Sequence, residues 1–216
     1  MIALTRRSAA ALVVGAVVVC ALVYLSRGFW SLKLGESLTC TEDLARSDAL
    51  LLENFDPSYS AFKRAAELEQ AGFGSRVFIP TATGKSDFPD AVAEALTRMM
   101  ADAVQIKKFE IIPIVEREPI TLTVAHQLRD FLMREKVRSV IVVTGGFRSE
   151  RAFRIYNAVF SRAGISLHCA PVFGGLDQKN WLSTWHGVQE VFLQVVKSLG
   201  YEKVSKTEVL PKEQPS

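Results

Sequence analysis

The chain has 216 residues, of which 49% are hydrophobic, and its 26 basic and 23 acidic side chains give a formal net charge of +3. This length suits one ordinary domain with accessory segments and excludes two full-sized domains. The charge is small and no run of basic residues alternates with aromatic residues, which argues against a nucleic-acid-binding protein.

An uncharged apolar run near the N-terminus predicts a membrane segment. Residues 9–25 contain no charge, and with Ser8 and Ser26 included the run approaches the roughly 20 residues that a spanning helix needs. Phe29 and Trp30 would then lie at the membrane interface. A cleavable signal peptide is the competing interpretation, but no small-x-small cleavage site follows the run. An uncleaved anchor is therefore favoured.

The basic residues around this run give a slight orientation bias. Arg6, Arg7 and the amino terminus precede the run, and Arg27 and Lys33 follow it. By the positive-inside rule this distribution weakly favours an N-terminus in the cytoplasm and a domain outside it.

Three cysteines bear on the same question. In an oxidising compartment Cys40 and Cys169 could pair, whereas Cys20 lies inside the apolar run. Sequence alone does not bring the two residues within bonding distance, so two unrelated buried thiols are the favoured interpretation.

Beyond residue 45, short apolar runs alternate with longer segments of helical periodicity. The runs are Ala49–Leu52, Val77–Ile79, Ile111–Val115, Val140–Val143 and Leu167–Val172, and the helical segments cover 58–71, 88–105, 121–135 and 149–163. Continuous apolar strands separated by such helices are typical of a parallel sheet covered on both faces. The sequence predicts a doubly wound, Rossmann-like α/β fold with a mainly parallel sheet of about five strands.

A final helix is predicted after these elements. Its apolar residues, expected to pack along one stripe, are Trp185, Val188, Val191, Phe192, Val195 and Leu199. The predicted organisation is then a short segment (1–8), a transmembrane anchor (9–30), a connector (31–45), the α/β domain (46–200) and a polar tail (201–216).

Ligands of open parallel sheets bind beyond the carboxyl ends of the strands. The loop Thr144-Gly145-Gly146-Phe147-Arg148 follows the fourth predicted strand. Its two glycines allow close approach of the backbone, the next helix offers its N-terminal N–H groups, and Arg148 and Arg151 supply donors for phosphate or carboxylate. This combination predicts an anion site.

The polar residues of these loops also have a purely structural interpretation. Turns and helix caps require glycine and small polar residues, and Thr121 and Ser149 fit N-cap positions. The fourth loop has neither the G-x-G-x-x-G fingerprint nor a P-loop, so neither NAD nor ATP is indicated. The histidines and cysteines show no zinc spacing, and neither a nucleophile elbow nor a catalytic triad is recognisable. The sequence indicates no metal and leaves any cofactor unknown.

Five segments occur in a characteristic order between about residue 46 and residue 200. They are RSDALLLE, RAAELEQAG, EREPITLTVAHQL, VIVVTGGFRSERA and NWLSTWHGVQEVFLQVVK. In this order, behind an apolar N-terminal run, the chain resembles the SanA/YdcF/ElyC-like family, a bacterial domain often carried on one N-terminal membrane helix.

The resemblance implies site residues at matched positions. These are Glu116, Thr121, Thr144, Arg151 and Arg64. Two departures fall in the same region: Glu53-Asn54-Phe55-Asp56 stands where many members have Gly-Gly, and Arg148 stands where many have histidine. The departures affect the implied chemistry more than the implied fold.

The resemblance implies an envelope or peptidoglycan-related role at the bacterial inner membrane, with the domain outside the cytoplasm. We therefore expect the domain to bind an anionic or phosphorylated cell-wall precursor or carrier. Arg148 and Arg151 would hold the anion, the Gly145 and Gly146 amides would cradle it, and Glu116 would be the general acid or base. The alternatives are a non-catalytic envelope assembly factor and a cytoplasm-facing binder of a nucleotide-like ligand. Whether the protein is an enzyme stays open.

Overall fold

The computed structural model of the chain describes residues 6–53, 59–84 and 89–208, with side chains between residues 12 and 201 of those ranges. Parts of several predicted segments lie outside the described residues: positions 1–5, positions 54–58 with the start of the helical segment 58–71, position 88 at the start of the segment 88–105, and the tail from position 209.

The described ranges contain five strands and seven α-helices. The strands are β1 (Ala49–Leu52), β2 (Val77–Thr83), β3 (Phe109–Val115), β4 (Ser139–Gly145) and β5 (Ser166–Val172). The helices are α1 (Arg6–Leu25), α2 (Arg27–Ser37), α3 (Tyr59–Gln70), α4 (Asp90–Ala103), α5 (Ile120–Arg134), α6 (Ser149–Phe160) and α7 (Trp185–Glu208). The predicted strands and the four central helices are all present, with boundaries that shift by a few residues.

The five strands form one parallel sheet in the order β3-β2-β1-β4-β5. β1 lies at its centre, with Leu50 opposite Val77 of β2 and Ala49 opposite Val140 of β4. The chain runs outward from β1 through β2 to β3, returns to the centre and then runs outward through β4 to β5. This order confirms the predicted doubly wound α/β fold and places its switch point between β1 and β4.

The sheet has a hydrophobic core on each of its faces, which explains why the strand sequences are continuous apolar runs. Leu50 and Leu52 of β1 belong to a core shared with α3 and α4, whereas Ala49 and Leu51 face the core shared with α5 and α6. All four residues are fully buried, so neither face of β1 meets solvent. A strand covered on both faces needs apolar residues at every position.

The predicted connector over residues 31–45 is folded onto the domain. Its first part belongs to α2, which the sequence reasoning missed because the segment has no clear apolar stripe. The indole Nε1–H of Trp181 donates to the carbonyl of Ser31 at 2.9 Å. Gly35 packs so closely that an added Cβ would lie 3.0 Å from the Cα of Gln178. α2 is therefore held firmly against the residues that precede α7.

A disulfide joins the end of this segment to the sheet. Cys40 and Cys169 are bonded and buried, and the N–H of Asp43 donates to the carbonyl of Cys169 at 3.2 Å. The expectation of two unrelated thiols was therefore wrong. The residues are 129 positions apart, and nothing in local sequence reveals that the segment after α2 folds back onto β5.

The predicted anchor over 9–30 is divided between α1 and α2. The Ser26 hydroxyl donates to the carbonyl of Leu22 at 2.7 Å, and Gly28 follows in the first turn of α2. Such a Ser–Gly pair is a common cause of helix kinks. Within the described residues no single helix is long and apolar enough to span a membrane, but α1 from Leu12 together with α2 would qualify by length and composition as one pair bent by 62°.

α7 differs from its prediction in two ways. Its backbone stays helical to Glu208, beyond the predicted start of the tail. Only part of the predicted apolar stripe is packed: Val191 is buried, whereas Trp185, Phe192 and Leu199 are more than 60% exposed. The periodicity located the helix correctly but did not separate the packed edge of the stripe from the exposed edge.

Candidate functional site

A cavity of about 850 Å³ lies at the carboxyl ends of β1, β4 and β5. Its walls come from Glu53 after β1, residues 145–148 after β4, residues 172–176 after β5 and the inner flank of α7. The cavity therefore adjoins the switch point, where open α/β sheets bind their ligands. Its volume is in the range of small-molecule sites.

Glu53 is the acidic residue at the centre of the switch point. Its backbone N–H donates to the carbonyl of Val143 at 2.9 Å, which extends the pairing of β1 with β4 by one residue. This pairing sets the Glu53 side chain beside Thr144, whose hydroxyl donates to its carboxylate. The Tyr156 hydroxyl donates to the other carboxylate oxygen at 3.2 Å.

Burial raises the pKa of Tyr156 well above its usual value, and the nearby Glu53 carboxylate raises it further. The phenol is therefore protonated at neutral pH and acts as a donor to the carboxylate.

Arg148 completes this group as the counter-ion of Glu53. Its guanidinium lies 3.2 Å from a Glu53 carboxylate oxygen, and the side chains are 20% and 2% exposed, respectively. Because the cation, the hydroxyl of Thr144 and the phenol of Tyr156 all converge on one carboxylate, the Glu53 charge is compensated within the protein.

The two glycines of the fourth loop serve the backbone geometry of the cavity wall. A Cβ on Gly146 would lie 2.1 to 2.5 Å from ring atoms of Phe173, which packs edge-to-face on Phe147. A Cβ on Gly145 would lie 3.2 Å from the Arg148 side chain. Close approach by protein side chains therefore accounts for glycine at Gly146, while both glycines line the cavity as predicted.

Arg151 lies one turn further along α6 and has a different environment. Its two terminal nitrogens donate to neutral oxygens, the Thr121 hydroxyl at 3.4 Å and the Gln194 side-chain carbonyl at 3.1 Å. Its guanidinium carbon lies 5.0 Å from the centre of the Tyr201 ring. In the described part of the chain its buried Nε–H has no hydrogen-bond partner.

Burial lowers the pKa of Arg151, and the nearby Tyr201 and Glu53 oppose that shift. Arginine nonetheless stays charged at neutral pH. Arg151 is thus a partly buried cation that lines the cavity and has only neutral hydrogen-bond partners among the described residues. A carboxylate or phosphate oxygen is the complement that such a guanidinium lacks.

α7 supplies the side of the site that faces Arg151. Gln194 is buried, and its amide nitrogen donates to a Glu190 carboxylate oxygen at 3.0 Å, which fixes its carbonyl toward Arg151. The Tyr201 hydroxyl accepts a hydrogen bond from the backbone N–H of Thr121 at 3.1 Å. α7 therefore connects the ends of α5 and α6 across the cavity.

The structure brings most of the predicted site residues together. Thr121, Gly145, Gly146, Arg148 and Arg151 line the cavity, while the buried Thr144 contacts it through Glu53. Thr121 is not the N-cap of α5, which begins at Ile120; its side chain instead accepts from Arg151.

Two predicted residues lie elsewhere. Arg64 projects from α3 and pairs with Glu42 at 2.6 Å and Glu67 at 3.4 Å, away from the cavity. Glu116 follows the edge strand β3 and is not among the described residues that line the cavity, whereas Glu118 is. Matching by motif did not reveal these positions because it carries no information on the order of strands in the sheet.

The N-terminus of α6 is also less open than predicted. The Glu150 N–H donates to the Leu38 carbonyl at 3.2 Å, and the Ser149 hydroxyl accepts from the Cys40 N–H at 2.9 Å while donating to the Gly146 carbonyl. The segment before the disulfide therefore occupies a helix end that the sequence left available for an anion. Anion binding must rest on the arginine side chains more than on these amides.

Sequence reasoning missed the residues that complete the site from other elements. Glu53 had one signal, since it directly follows four buried residues at the carboxyl end of the central strand, but it was interpreted as a departure from Gly-Gly. Tyr156 was recognised only as a buried helix residue. Gln194 and Tyr201 carry no local signal, because their roles depend on how α7 crosses the sheet end.

Comparisons with known proteins add little. No family model matches the chain, and a search of curated proteins finds no significant relative. Among solved structures, the chain is similar to a universal stress protein in complex with cAMP, at 17% identity and a TM-score of 0.40, over 60% of this chain and 100% of that one. Values this low carry no argument about function, and the fold assignment rests on the sheet itself.

Proposed function

We propose that the protein is a membrane-anchored, envelope-associated domain that binds an anionic ligand in the cavity, and that Arg151 is its principal anion contact. The envelope association follows from the SanA/YdcF/ElyC-like resemblance, with a phosphorylated cell-wall precursor or carrier as the ligand class that it implies. The anion site follows from the geometry around Arg151.

The single observation that carries the proposal is the environment of Arg151. A buried N–H donor without a partner costs about 1–3 kcal/mol, and more when the group is charged. The Nε–H of Arg151 is such a donor, and the two oxygens that contact its other nitrogens are uncharged. An anion in the cavity would supply the missing charge.

Arg148 has a secondary part in this proposal. Glu53 already compensates the charge of Arg148, so this ion pair forms part of the cavity wall and adds little net positive charge to it. Lys197 also lines the cavity and is exposed, which adds a mobile positive charge at its edge. The ligand would therefore be recognised by one fixed guanidinium and one flexible ammonium group.

The membrane association is supported by the apolar residues of α1, which are exposed from Leu12 to Leu25. The Cys40–Cys169 disulfide supports a domain outside the cytoplasm, because structural disulfides form and persist in oxidising compartments. The charges around α1 favour the same orientation.

Thermal unfolding of the detergent-solubilised full chain tests the anion site, with inorganic phosphate and phenyl phosphate as probes. A ligand at 100 times its Kd stabilises the folded state by about 2.7 kcal/mol. We expect Arg151→Gln to abolish this stabilisation and Arg154→Gln to retain it, because Arg154 lies on the same helix but pairs with Glu150 at 2.6 Å. Equal stabilisation of Arg151→Gln and the natural protein would contradict the proposal.

Topology needs a separate experiment. Alkaline phosphatase, which is active only outside the cytoplasm, and a green fluorescent protein, which folds inside it, can each be fused after Ser216. We expect an active phosphatase fusion and a dark fluorescent fusion. The opposite pair would refute the extracytoplasmic location and would leave the anion site to be judged by the unfolding experiment.

A further inference from the structure

The outward face of α7 carries an apolar stripe that nothing in the described structure covers. Trp185, Phe192, Val196 and Leu199 fall within about 40° of one line along the helix at about 100° per residue. Their exposed fractions are 71%, 69%, 49% and 61%. The buried Val191 and Gln194 lie on other sides of α7, so the stripe is a separate line from the residues that pack on the domain.

This stripe is more than scattered surface hydrophobicity. Single exposed apolar residues are normal, but four large ones aligned over four turns form a continuous surface, which usually marks an interaction site. The helix therefore has two apolar edges, one packed on the domain and one turned to the surroundings.

The start of α7 is fixed beside the end of α1. Trp181, which lies in the short 3-10 turn Trp181–Ser183 before α7, donates its indole N–H to the carbonyl of Ser31 at 2.9 Å. The Trp181 ring also meets the Trp30 ring edge-on, with 6.3 Å between the ring centres. Trp30 in turn donates its indole N–H to the Val23 carbonyl of α1 at 3.1 Å. A chain of contacts thus links the exposed apolar helix α1 to Trp181, four residues before the stripe begins.

We propose that the apolar stripe of α7 lies on the bilayer surface next to the point where α1 enters it. A tryptophan at the interface and a narrow apolar line are features of a helix that lies in the membrane surface; Trp185 supplies the first, and the four exposed apolar residues together supply the second. The proposal goes beyond the anion site, but it rests on the membrane anchoring proposed above.

Membrane depth measured by electron paramagnetic resonance tests this contact. The full chain with Cys20→Ser is labelled with a nitroxide at Phe192→Cys and reconstituted into vesicles of phosphatidylethanolamine and phosphatidylglycerol. Oxygen collides more often with labels in lipid, and a nickel chelate collides more often with labels in water. The matched control is Met99→Cys on α4, since Met99 is also apolar and 61% exposed but lies on another helix.

We expect the label at position 192 to favour oxygen and the label at position 99 to favour the nickel chelate. A label at Val17→Cys in α1 separates the two proposals. If position 17 reports lipid while position 192 reports water, the anchor stands and the α7 contact is refuted. If both report water, the anchoring has failed, and the α7 contact fails with it.

Protein contact gives a third signature. A label at position 192 that is shielded from both reagents, or broadened by a second label nearby, indicates that a protein or a second copy covers the stripe, and it overturns the proposal. If Phe192→Cys does not fold, the same measurement at Val196→Cys decides, because Val196 belongs to the same stripe.

Discussion

Arg148 and Arg151 lie three residues apart at the same end of the sheet, yet they meet opposite electrostatic environments. Arg148 faces the buried carboxylate of Glu53 at 3.2 Å. Arg151 contacts a hydroxyl, an amide carbonyl and an aromatic ring, with no ion pair among the described residues. Of these two basic residues, Arg148 pairs with a carboxylate of the protein itself, whereas Arg151 is available to a ligand.

The difference arises from strand order. Glu53 reaches Arg148 because β1 and β4 are neighbours at the switch point, where both strands end. Arg151 lies about one turn further along the chain and faces α5 and α7, where the side chains that accept its hydrogen bonds, Thr121 and Gln194, are neutral. A basic residue after a strand is therefore a candidate ligand contact only when the neighbouring strand does not already supply its counter-ion.

Removal of the Glu53 charge should have the largest effect on stability. Glu53→Gln removes the carboxylate charge that pairs with Arg148 and disturbs the hydrogen bonds from Thr144 and Tyr156. Breaking a buried pair in this way costs about 3 kcal/mol, at the low end of the usual range because Arg148 is partly exposed. Urea unfolding followed by circular dichroism measures the loss.

Glu94→Gln is the matched control for this prediction. Glu94 pairs with Arg98 at 2.6 Å on the surface of α4, and exposed pairs of this kind contribute less than about 1 kcal/mol. Similar losses for the two variants would mean that Glu53 and Arg148 do not form a stabilising pair, and the contrast between the two arginines would then disappear.

The packing of the fourth loop should give the next largest effect. Gly146→Ala forces the Phe173 ring away from its place against Phe147, and such overpacking costs about 1–3 kcal/mol. Gly200→Ala is the control, because its Cβ meets no atom within 4 Å and alanine favours a helix. If Gly146→Ala is as stable as the natural protein, the glycine serves ligand approach alone.

Much of this architecture could be predicted from the sequence. Apolar runs such as Ala49–Leu52 identify buried strands because both faces of the sheet are covered, and a segment such as 149–163 identifies a helix by its period. The loop from Thr144 to Arg148, together with Arg151 in the helix that follows, is also recognisable from the sequence as a candidate site. These features depend on residues that are near one another in the chain.

The rest depends on contacts between distant segments. Glu53 meets Arg148, Cys40 meets Cys169, and Gln194 meets Arg151 only after the strands are ordered and α7 is placed. Local periodicity contains no information on that order. Local sequence also did not separate Glu116 from Glu118, and among the described residues of that loop it is Glu118 that lines the cavity.

Loss of Arg151 should change stability much less than loss of Glu53. Arg151→Gln removes two hydrogen bonds to neutral oxygens but also removes a partly buried charge without a counter-ion. These effects oppose each other, so we expect a net change of at most about 1 kcal/mol in the absence of ligand. Urea unfolding without added anions checks this value. A loss as large as that of Glu53→Gln would indicate that Arg151 is a structural residue.

The smallest expected effect lies at the opposite end of the sheet. Asp48 accepts hydrogen bonds from the backbone N–H groups of Arg138 at 2.7 Å and Ser139 at 3.0 Å. The Arg138 N–H makes the largest contribution to lowering the pKa of Asp48 below its usual value of 3.8, and burial opposes it. At this end of the sheet, backbone N–H groups stabilise the negative charge of Asp48, whereas the positive charge of Arg151 has only neutral hydrogen-bond partners among the described residues.

A lowered pKa in the folded state means that the Asp48 charge stabilises the fold above the unfolded value of about 3.8 and that this contribution is lost as the pH falls through the lower folded value. The stability difference between the natural protein and Asp48→Asn should therefore be constant near neutral pH and disappear under acidic conditions. Unfolding curves at pH 7 and pH 3 check the sign. A difference that grows on acidification would contradict it.

The most direct test of the contrast between the two arginines is a titration of the arginine Nε–H resonances of the ¹⁵N-labelled full chain with inorganic phosphate. Arg151→Lys and Arg148→Lys assign the two signals by their loss. The account predicts a large, saturable shift of the Arg151 signal and a nearly constant Arg148 signal. A constant Arg151 signal, or a larger shift at Arg148, would contradict it.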